Sequence, residues 1–302
     1  MIKPPFLHAG DRVGVLAMAS QVSYPALQEG LRILREDWQL KVIEGQTLHT
    51  SYNQFAGTDE ERQRDLQQML DDSSLKAIFS ARGGYGSSRI IDGLHFRKFR
   101  KHPKWIVGFS DITAIHCHLE RMGFESLHAT MPKLFGQEGA GNALETLKKV
   151  LWGDDLSYQI PAHSFNRLGT SQGAIVGGNL CLLAHLIGSR SETDTRHKIL
   201  FIEDVEEYYY NLDRMMVQLK RAGKLAQLAG LVVGQFTDLK DNETSSFGKN
   251  HYEIIAEHVS AYNYPVCFDF PVGHTADNRA MIVGRMAQFS VTSKNVQLHF
   301  ES

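Results

Sequence analysis

Residues 75–90, LKAIFSARGGYGSSRI, pass from a short apolar run through a glycine-rich turn into a helical pattern. The same order returns in residues 105–122, WIVGFSDITAIHCHLERM, where a second apolar run is followed by Ser110 and another helical pattern. Because parallel strands must be joined by crossovers, which are usually helices, this alternation predicts a mostly parallel sheet with flanking helices. Ligands of such sheets bind at the carboxyl ends of the strands.

The alternation extends towards the amino terminus. An apolar strand is predicted over residues 11–19, and a helix is predicted over 59–71. That helix begins with the capping-box spacing of Thr58 and Glu61, in which the hydroxyl bonds the third helical amide and the carboxylate reaches back to the cap amide. We therefore expect an α/β domain over residues 1–160, with a flavodoxin-like, mostly parallel sheet.

The pattern changes after residue 155. Apolar runs at 198–202 and 228–233 alternate with helical patterns, and residues 280–300 contain period-two segments that are typical of antiparallel strands. We therefore expect a second, smaller domain over 161–302, β-rich and of the α+β type. A chain of 302 residues exceeds the usual size of a single core, which agrees with two packed domains.

Composition and charge argue against several classes of protein. The sequence is 42% hydrophobic and 22% charged, and 32 Lys and Arg against 34 Asp and Glu give a formal net charge of -2. This near-balance gives no electrostatic reason to expect nucleic acid or an anionic membrane as a partner. The sequence has no apolar run of about 18 residues and no signal-peptide pattern, and its three cysteines are widely spaced, so a cytoplasmic location is expected.

Ser110 lies between an apolar strand and a helix, a position that projects a hydroxyl at the edge of a sheet. The start of the helix offers unpaired amides and the positive end of the helix dipole, which can stabilise the oxyanion of acyl transfer. The alternative is that Ser110 merely caps the helix, as serine often does. The hydrolase pattern Gly-x-Ser-x-Gly is only partly matched, because Gly108 is present but Ile112 replaces the second glycine.

The glycine-rich turn, residues 82–86, allows close approach of the main chain to another group. It can present amides to a negative oxygen, either of a tetrahedral intermediate or of a phosphate. It lacks the Lys-Ser/Thr ending of a phosphate-binding loop and the Gly-x-Gly-x-x-Gly spacing of a dinucleotide-binding fold. An ordinary turn is the alternative interpretation, and no cofactor is expected.

Glu203 and His274 supply the two other groups that a serine nucleophile requires. Glu203 follows an apolar strand, and His274 lies in a loop of turn-forming residues. The nucleophile needs a base with a pKa near the working pH, and the histidine needs an acceptor that fixes its tautomer. Taken singly, Glu203 could lie in a solvated loop and His274 could be incidental. Together with Ser110 they predict a serine hydrolase of the acyl-transfer type.

A metal site is not predicted. His116, Cys117 and His118 look metal-like, but neighbours one and two positions apart on a helix point in different directions. The sequence contains neither a His-Glu-x-x-His motif nor a Cys-x-x-Cys pair. We expect Cys117 to be buried in the middle of a helix rather than to act as a nucleophile.

Seven short stretches, spread over most of the chain, form a specific combination. They are FAGT at 55–58, ARGGYG at 81–86, GFSDITA at 108–114, GGNL at 177–180, FIED at 201–204, RM at 214–215 and GH at 273–274. In this order they resemble the LD-carboxypeptidases, a family of serine peptidases that also contains the microcin C immunity peptidases.

The resemblance implies a parallel amino-terminal α/β domain and a smaller β-rich domain, with the site in the cleft between them. The family's catalytic serine, glutamate and histidine carry over to Ser110, Glu203 and His274. The amides of Asp111 and Gly84 would form the oxyanion hole. Members of the family release terminal D-alanine from cytoplasmic murein tetrapeptide in cell-wall recycling, without a metal, and many are homodimers.

Arg82 and Gly83 are candidate substrate-binding residues in the glycine-rich turn. A guanidinium can hold a carboxylate with two parallel hydrogen bonds, so Arg82 is suited to the terminal carboxylate of the substrate. The expected ligand is therefore a murein tetrapeptide or a muropeptide, and the expected assembly is a homodimer.

Two other functions remain open at this point. A microcin C-type immunity peptidase would share the three catalytic residues but hydrolyse an aminoacyl nucleotide analogue. It would need an added aromatic or basic loop, and the sequence shows no such insertion. A non-enzymatic small-molecule binding protein with two lobes would use Ser110 as a helix cap and the glycine-rich turn as an anion site.

Overall fold

The computed structural model describes residues 1–301, which form two β-sheets with helices packed against them. The strands are β1 (Arg12–Leu16), β2 (Lys41–Glu44), β3 (Leu75–Ser80), β4 (Trp105–Gly108), β5 (Ser126–His128), β6 (Ser157–Pro161), β7 (Gly169–Asn179), β8 (Ile199–Val205), β9 (Gly230–Thr237), β10 (Val266–Cys267), β11 (Met281–Val283), β12 (Met286–Val291) and β13 (Asn295–Phe300). The α-helices are α1 (Gln28–Arg32), α2 (Asp59–Asp71), α3 (Ser87–Ile90), α4 (Thr113–Arg121), α5 (Gly141–Trp152), α6 (Leu180–His185), α7 (Tyr209–Arg221) and α8 (His251–Val259). No helix in this part of the chain is long and apolar enough to cross a membrane.

The first sheet, within residues 1–301, has six strands in the order β11-β5-β4-β3-β1-β2. Five of them are parallel, and β11 pairs antiparallel with β5. The order of the five parallel strands, 2-1-3-4-5, is that of the flavodoxin-like doubly wound fold. Helical crossovers cover both faces of such a sheet, which is why the apolar runs of β3 and β4 are buried almost throughout. The predicted flavodoxin-like α/β fold is therefore confirmed.

The second sheet contains seven strands of the described chain, in the order β10-β9-β8-β7-β12-β13-β6. The half from β7 to β10 is parallel, whereas β7, β12, β13 and β6 pair antiparallel. The period-two pattern predicts the antiparallel half, because β13 buries every second residue. The β-rich carboxy-terminal half is confirmed, and its sheet is mixed, because a parallel half with helical crossovers adjoins the antiparallel half.

Strands cross the predicted domain boundary at residue 160 in both directions. β6 is the edge strand of the second sheet, and β11, far downstream, is the edge strand of the first. The alternation in β11 suggests a strand of the second domain, but a period of two identifies a strand and its buried face without identifying its partner. The division into residues 1–160 and 161–302 stays a prediction.

Helix α2 covers residues 59–71, as predicted, and is fixed at both ends. Both bonds of its capping box are formed, since Thr58 N–H donates to Glu61 Oε2 at 2.8 Å and Glu61 N–H donates to Thr58 Oγ1 at 3.3 Å. At the other end, the fully buried Lys104 ammonium donates to three main-chain carbonyls. The acceptors are Met69, Leu70 and Asp72.

The two sheets meet where α4 begins. Asn179, at the end of β7, donates its N–H to Thr113 Oγ1 at 3.1 Å. Gly178 has a φ of 142°, and a Cβ there would lie 2.4 Å from Thr113 Oγ1, so glycine permits this close approach. Ser110 lies three residues before this threonine, and Glu203 is the partner of Asn179 in the neighbouring strand. The contact therefore brings the carboxyl ends of β4 and β8 together.

Candidate active site

Ser110 joins β4 to α4 in a left-handed backbone conformation. Its φ is 63°, whereas the preceding Phe109 is extended with a φ of -147°. A positive φ is uncommon for a residue with a side chain, and such strain is concentrated at functional sites. A serine that only capped the helix would be extended and would accept a bond from an amide of the first turn. Within residues 1–301, Ser110 does neither.

The glycine-rich turn packs directly against this serine. A Cβ at Gly83 would lie 2.9 Å from Ser110 Cβ and 3.1 Å from Ser110 Oγ. Gly84 has a φ of 111°, and a Cβ there would lie 2.1 Å from Ser20 Oγ, so both conformation and space exclude a side chain. The main chain of the turn therefore lies beside the Ser110 hydroxyl.

His274 and Glu203 form a hydrogen-bonded pair. His274 Nδ1 lies 2.7 Å from Glu203 Oε2, and the carboxylate is fully buried near the carboxyl end of β8. Gly273 has a φ of 130°, and a Cβ there would lie 3.0 Å from Glu203 Cβ, so glycine allows the loop to approach the carboxylate. A carboxylate at Nδ1 places the proton on that nitrogen and leaves Nε2 to accept a proton from a reactant.

Burial and charge act on the pKa of His274 in opposite directions. Burial of the ring lowers the pKa, whereas the hydrogen bond and the charge of Glu203 raise it. The negative charges of Asp204 and Glu206 also raise the pKa, and the net result lies above the usual value of 6.5. A base with such a pKa is suited to accept a proton near neutral pH.

Phe109 connects the serine with the histidine. Its ring packs edge-on against the His274 ring with centroids 4.9 Å apart, and Ser110 is the next residue along the chain. No hydrogen bond joins Ser110 Oγ to His274 in the described residues. The two groups thus share one location without a closed bond, and catalytic hydrogen bonds often tighten only when substrate binds.

Asp111 ties the start of α4 to the glycine-rich turn. Ser87 N–H donates to Asp111 Oδ2 at 2.7 Å, and Ser87 Oγ donates to the Asp111 carbonyl at 2.6 Å. Burial raises the pKa of the Asp111 carboxyl, and the bonds from Ser87 oppose that shift. The Asp111 amide lies in the first helical turn, where amides lack intrahelical partners, so it can donate to an oxyanion at Ser110.

Family models match both halves of the chain. The LD-carboxypeptidase N-terminal domain matches residues 13–129, and the LD-carboxypeptidase C-terminal domain matches residues 172–289. The chain belongs to the LD-carboxypeptidase family. The resemblance predicted from the short stretches is therefore confirmed, and the chain is a serine peptidase of the carboxypeptidase type.

Similar proteins cover almost the whole chain of this LD-carboxypeptidase. It is 34% identical to the probable murein peptide carboxypeptidase of Bacillus subtilis, over 97% of this chain and 92% of the relative. It is 30% identical to the murein tetrapeptide carboxypeptidase of Pseudomonas aeruginosa, over 91% and 92% respectively. The muramoyltetrapeptide carboxypeptidase structure from Oxalobacter formigenes has a TM-score of 0.87 at 26% identity, over 96% of this chain and 99% of that chain. The microcin self immunity protein MccF has a TM-score of 0.89 at 20% identity, over 100% and 99%, which shows the fold alone.

Asp204 is a second buried acid beside the Glu203–His274 pair, and the sequence assigns it no role of its own. Burial and the charge of Glu203 raise its pKa to about 7. Its Oδ1 accepts from Asn179 Nδ2 at 2.7 Å, and its Oδ2 accepts from the Cys181 N–H at 2.9 Å. Successive residues of a strand point to opposite faces of the sheet, and this alternation is the one sequence signal that gives Asp204 a different environment from Glu203.

The sequence does not predict two buried polar side chains near the site. His128, at the end of β5, has its ring centroid 5.8 Å from that of Phe109, and neither ring nitrogen has a hydrogen-bond partner in residues 1–301. Burial lowers the pKa of His128 well below 6.5, so the ring is neutral. Arg62, in the first turn of α2, is fully buried and donates to the Gly86 carbonyl. The helical period places position 62 on the buried face of α2, but it does not predict a cation there.

Arg82 lies at an edge of the glycine-rich turn together with Lys133. Its Nη1 donates to the Gln21 carbonyl at 3.0 Å. The Lys133 N–H donates to the Ala81 carbonyl at 3.2 Å, and burial and the nearby charge of Arg82 lower the pKa of Lys133. Neither cation forms an ion pair with an acid of the described chain. This edge of the LD-carboxypeptidase site is therefore positively charged.

The residues that look metal-like in the sequence are engaged elsewhere. His116 Nδ1 lies 2.9 Å from Ser126 Oγ, and His116 Nε2 lies 2.8 Å from the Gly108 carbonyl. Burial raises the pKa of Cys117 to about 12, which is unsuited to a nucleophile. Over residues 1–301, no group of three His, Cys, Asp or Glu is placed to hold a metal ion.

Proposed function

We propose that this LD-carboxypeptidase is a serine carboxypeptidase that hydrolyses the L,D bond before the terminal D-alanine of murein tetrapeptide, with Ser110, Glu203 and His274 as its catalytic residues. The observation that carries the proposal is the buried Glu203–His274 hydrogen bond close to a serine with a positive φ. The names of the relatives, among them a murein tetrapeptide carboxypeptidase, support the substrate. Release of D-alanine from this peptide belongs to cell-wall recycling.

Acylation begins when Ser110 Oγ attacks the scissile carbonyl carbon and His274 Nε2 takes the hydroxyl proton. His274 then gives that proton to the nitrogen of the departing D-alanine as the C–N bond breaks. Glu203 holds the imidazole through Nδ1 and stabilises its cation. Water next attacks the acyl-enzyme with the same histidine as base, which releases the tripeptide and restores the serine.

The oxyanion of the tetrahedral intermediate is held by the main-chain amides of Asp111 and Gly84. Both amides belong to segments that lie against Ser110, one in the first turn after it and one in the glycine-rich turn. Preorganised donors of this kind act on charge that develops in the transition state, and the loss of one costs about 10²- to 10³-fold in kcat.

Arg82 and Gly83 bind the substrate. The positive edge at Arg82 receives the terminal carboxylate of D-alanine, because a guanidinium can bind a carboxylate through two parallel N–H groups. Its bond to the Gln21 carbonyl uses only Nη1. Gly83 lies between this arginine and Ser110, so the peptide can follow the turn without meeting a side chain there.

Replacement of the nucleophile tests the function. We expect Ser110→Ala to lower the rate of D-alanine release from a chemically defined murein tetrapeptide by several orders of magnitude. Circular dichroism should show that the fold of the variant is intact. Ser74→Ala, which alters an exposed serine before β3, serves as the control and retains the wild-type rate. Normal release of D-alanine by Ser110→Ala would contradict the catalytic assignment.

Two further measurements separate the alternative functions. Rapid hydrolysis of an aminoacyl sulfamoyl adenylate without tetrapeptide cleavage would replace the proposal by a microcin C-type immunity peptidase. A serine-directed phosphonate that labels the wild type but not Ser110→Ala would exclude a non-enzymatic binding protein with two lobes.

We also propose that the protein acts in the cytoplasm as a homodimer with domains 1–160 and 161–302. Its cysteines are free in the structure, which agrees with a reducing compartment. The homodimer rests on the family resemblance alone. Cell fractionation tests the location, sedimentation velocity tests the dimer, and separate expression of the two segments tests the boundary.

A further inference from the structure

We propose that Arg62 and the Asp111 carboxylate are positioning residues that hold the glycine-rich turn against Ser110, an inference that rests on the proposed function. They act on a single peptide unit, the one that joins Gly86 to Ser87. Arg62 Nη1 donates to the Gly86 carbonyl at 2.9 Å. At the other end of the same peptide, the Ser87 N–H donates to Asp111 Oδ2 at 2.7 Å. We call these two side chains with their shared peptide the clamp.

The charges of the clamp match the dipole of the peptide that it holds. The guanidinium lies at the carbonyl end and the carboxylate lies at the amide end, so both charges favour the same orientation of the peptide. Both side chains are buried, Arg62 completely and Asp111 to 1% exposure. Burial lowers the pKa of Arg62 and raises the pKa of Asp111, and each charge opposes that shift in the other group. The two opposite charges therefore favour each other's ionised form across the peptide that they hold.

The guanidinium also fixes the clamp to neighbouring segments of the fold. Nη1 donates to the Met18 carbonyl at 2.8 Å, Nε donates to the Gly57 carbonyl at 3.3 Å, and Nη2 bonds to Asp59. Gly86 has a φ of 137°, and a Cβ there would lie 2.6 Å from Nη1, so glycine is required for this approach. A lysine has one charged nitrogen and cannot make these bonds at once.

The clamp controls the reaction through the position of the turn. The turn is held by the clamp at Gly86 and packs on Ser110 at Gly83, where a Cβ would lie only 2.9 Å from the serine Cβ. A shift of the turn therefore changes the distance between its amides and the oxyanion. Misplacement of a catalytic group by about 1 Å can cost about 10²-fold in rate. Asp111 takes part twice: its main-chain amide donates to the oxyanion, and its carboxylate holds the turn that carries the other donor.

Lys104, which lies just before β4, offers a matched control that contacts the other end of α2. Like Arg62, it is a fully buried cation that donates to main-chain carbonyls, but its bonds lie at the end of α2 away from the turn. Arg62→Met and Lys104→Met each remove one buried cation from the surroundings of α2. Both variants are expected to lose stability, so rates are expressed per folded molecule, and only the first variant frees the turn.

The test measures the rate constant for reaction of Ser110 with a fluorophosphonate. The serine oxygen forms a bond to phosphorus, His274 takes the hydroxyl proton, and fluoride leaves. The reagent therefore needs the nucleophile, the base and the oxyanion donors but not the tetrapeptide. We expect Lys104→Met to react within about threefold of wild type and Arg62→Met about 100-fold more slowly. Arg62→Lys, which keeps the charge without the planar fork, and Asp111→Asn, which keeps an acceptor without the charge, fall between these limits.

Equal rates per folded molecule for Arg62→Met and Lys104→Met would overturn the proposed role of the clamp. Failure of the fluorophosphonate to label the wild-type protein would overturn it as well. If Arg62→Met does not fold, the ratio of Arg62→Lys to Lys104→Met decides in its place. A wild type that reacts with the phosphonate but releases no D-alanine from tetrapeptide would refute the proposed function, while the variant ratio still judges the clamp. With tetrapeptide as substrate, the clamp predicts a fall in kcat with KM within about threefold of wild type, because oxyanion donors act in the transition state.

Discussion

The nucleophile side of the site, Ser110 with the glycine-rich turn, and the base side, Glu203 with His274, are stabilised by different means. On the nucleophile side the main chain sets the geometry, through a φ of 63° at Ser110 and a turn too close for a side chain at Gly83. On the base side a buried carboxylate and one hydrogen bond of 2.7 Å set both the orientation and the pKa of the histidine.

This difference predicts how each side fails. A main-chain arrangement is sensitive to added volume, because a side chain added to the glycine-rich turn pushes the turn away from Ser110 and displaces its oxyanion-binding amides. An electrostatic arrangement is more sensitive to a change of charge than to a change of shape, because the charge fixes the tautomer and the pKa of the histidine. Variants that alter only charge on one side and only volume on the other therefore separate the two.

The largest effect is expected from Glu203→Gln, which removes the charge of the base side and preserves its shape. An amide next to His274 Nδ1 no longer favours the proton on that nitrogen, and the imidazolium loses its stabilising charge. We expect kcat for D-alanine release to fall by about 10⁴-fold. Steady-state kinetics with tetrapeptide measures this loss.

Residues 203–207 form an acidic stretch with four carboxylates. Glu206→Gln is the matched control for Glu203→Gln, because Glu206 is an exposed acid of this stretch. Its charge contributes less than that of Glu203 to the pKa of His274. We expect its kcat to stay within about tenfold of wild type. Similar losses in the two variants would mean that the acidity of the whole stretch matters, rather than the bond to the histidine.

A smaller effect is expected from Gly83→Ala, which adds one methyl group to the nucleophile side. The new Cβ would lie 2.9 Å from Ser110 Cβ and 3.1 Å from its Oγ, so the turn must move. We expect kcat to fall by about 10²-fold. Gly141→Ala, at the start of α5, adds the same methyl group where nothing lies within 4 Å, and it should leave kcat unchanged. Wild-type activity in Gly83→Ala would show that the turn does not set the geometry.

The sequence predicts the nucleophile side better than the base side. The strand, turn and helix at 75–90 and 105–122 are local patterns, and the structure places β3, β4, α3 and α4 there. That Glu203 and His274 meet is a long-range contact between residues 71 positions apart, which no local pattern predicts. The requirement for a base and an acceptor, together with the family resemblance, suggests it. The positive φ of Ser110 has no signal in residue type.

The residues that escape prediction are buried polar groups. The helical period places position 62 on the same face as Leu66 and Met69, but an arginine there is expected to be exposed, and its burial depends on carbonyls from three other segments. β5 is three residues long, too short for any periodicity, so the burial of His128 at its end has no sequence signal either. Partners supplied by distant segments are set by tertiary packing, which local patterns do not encode.

The pH dependence follows from the raised pKa of His274. The base must be neutral to take a proton, so kcat/KM falls as the pH drops through a value above 6.5. The effect on stability has the opposite sign, because a raised folded-state pKa stabilises the protein below the unfolded pKa of about 6.5, and this contribution is lost as the pH rises through the folded pKa. A pH–rate profile and thermal unfolding over the same pH range should therefore move in opposite directions.

The smallest effect, and the sharpest test of the electrostatic side, is expected from Asp204→Asn. The ionised form of Asp204 raises the pKa of His274, but its own pKa of about 7 leaves it partly protonated over the acid limb. Its removal should therefore shift the acid limb of kcat/KM slightly to lower pH and leave the maximal rate nearly intact. Asp213→Asn is the control, because Asp213 lies 2.7 Å from the nitrogen of another histidine, His258, and should not move the limb. An Asp204→Asn profile that keeps the wild-type midpoint would mean that Asp204 does not contribute to the pKa of the base. The hydrogen bond between Asp204 and Asn179 would then serve only to join the two strands.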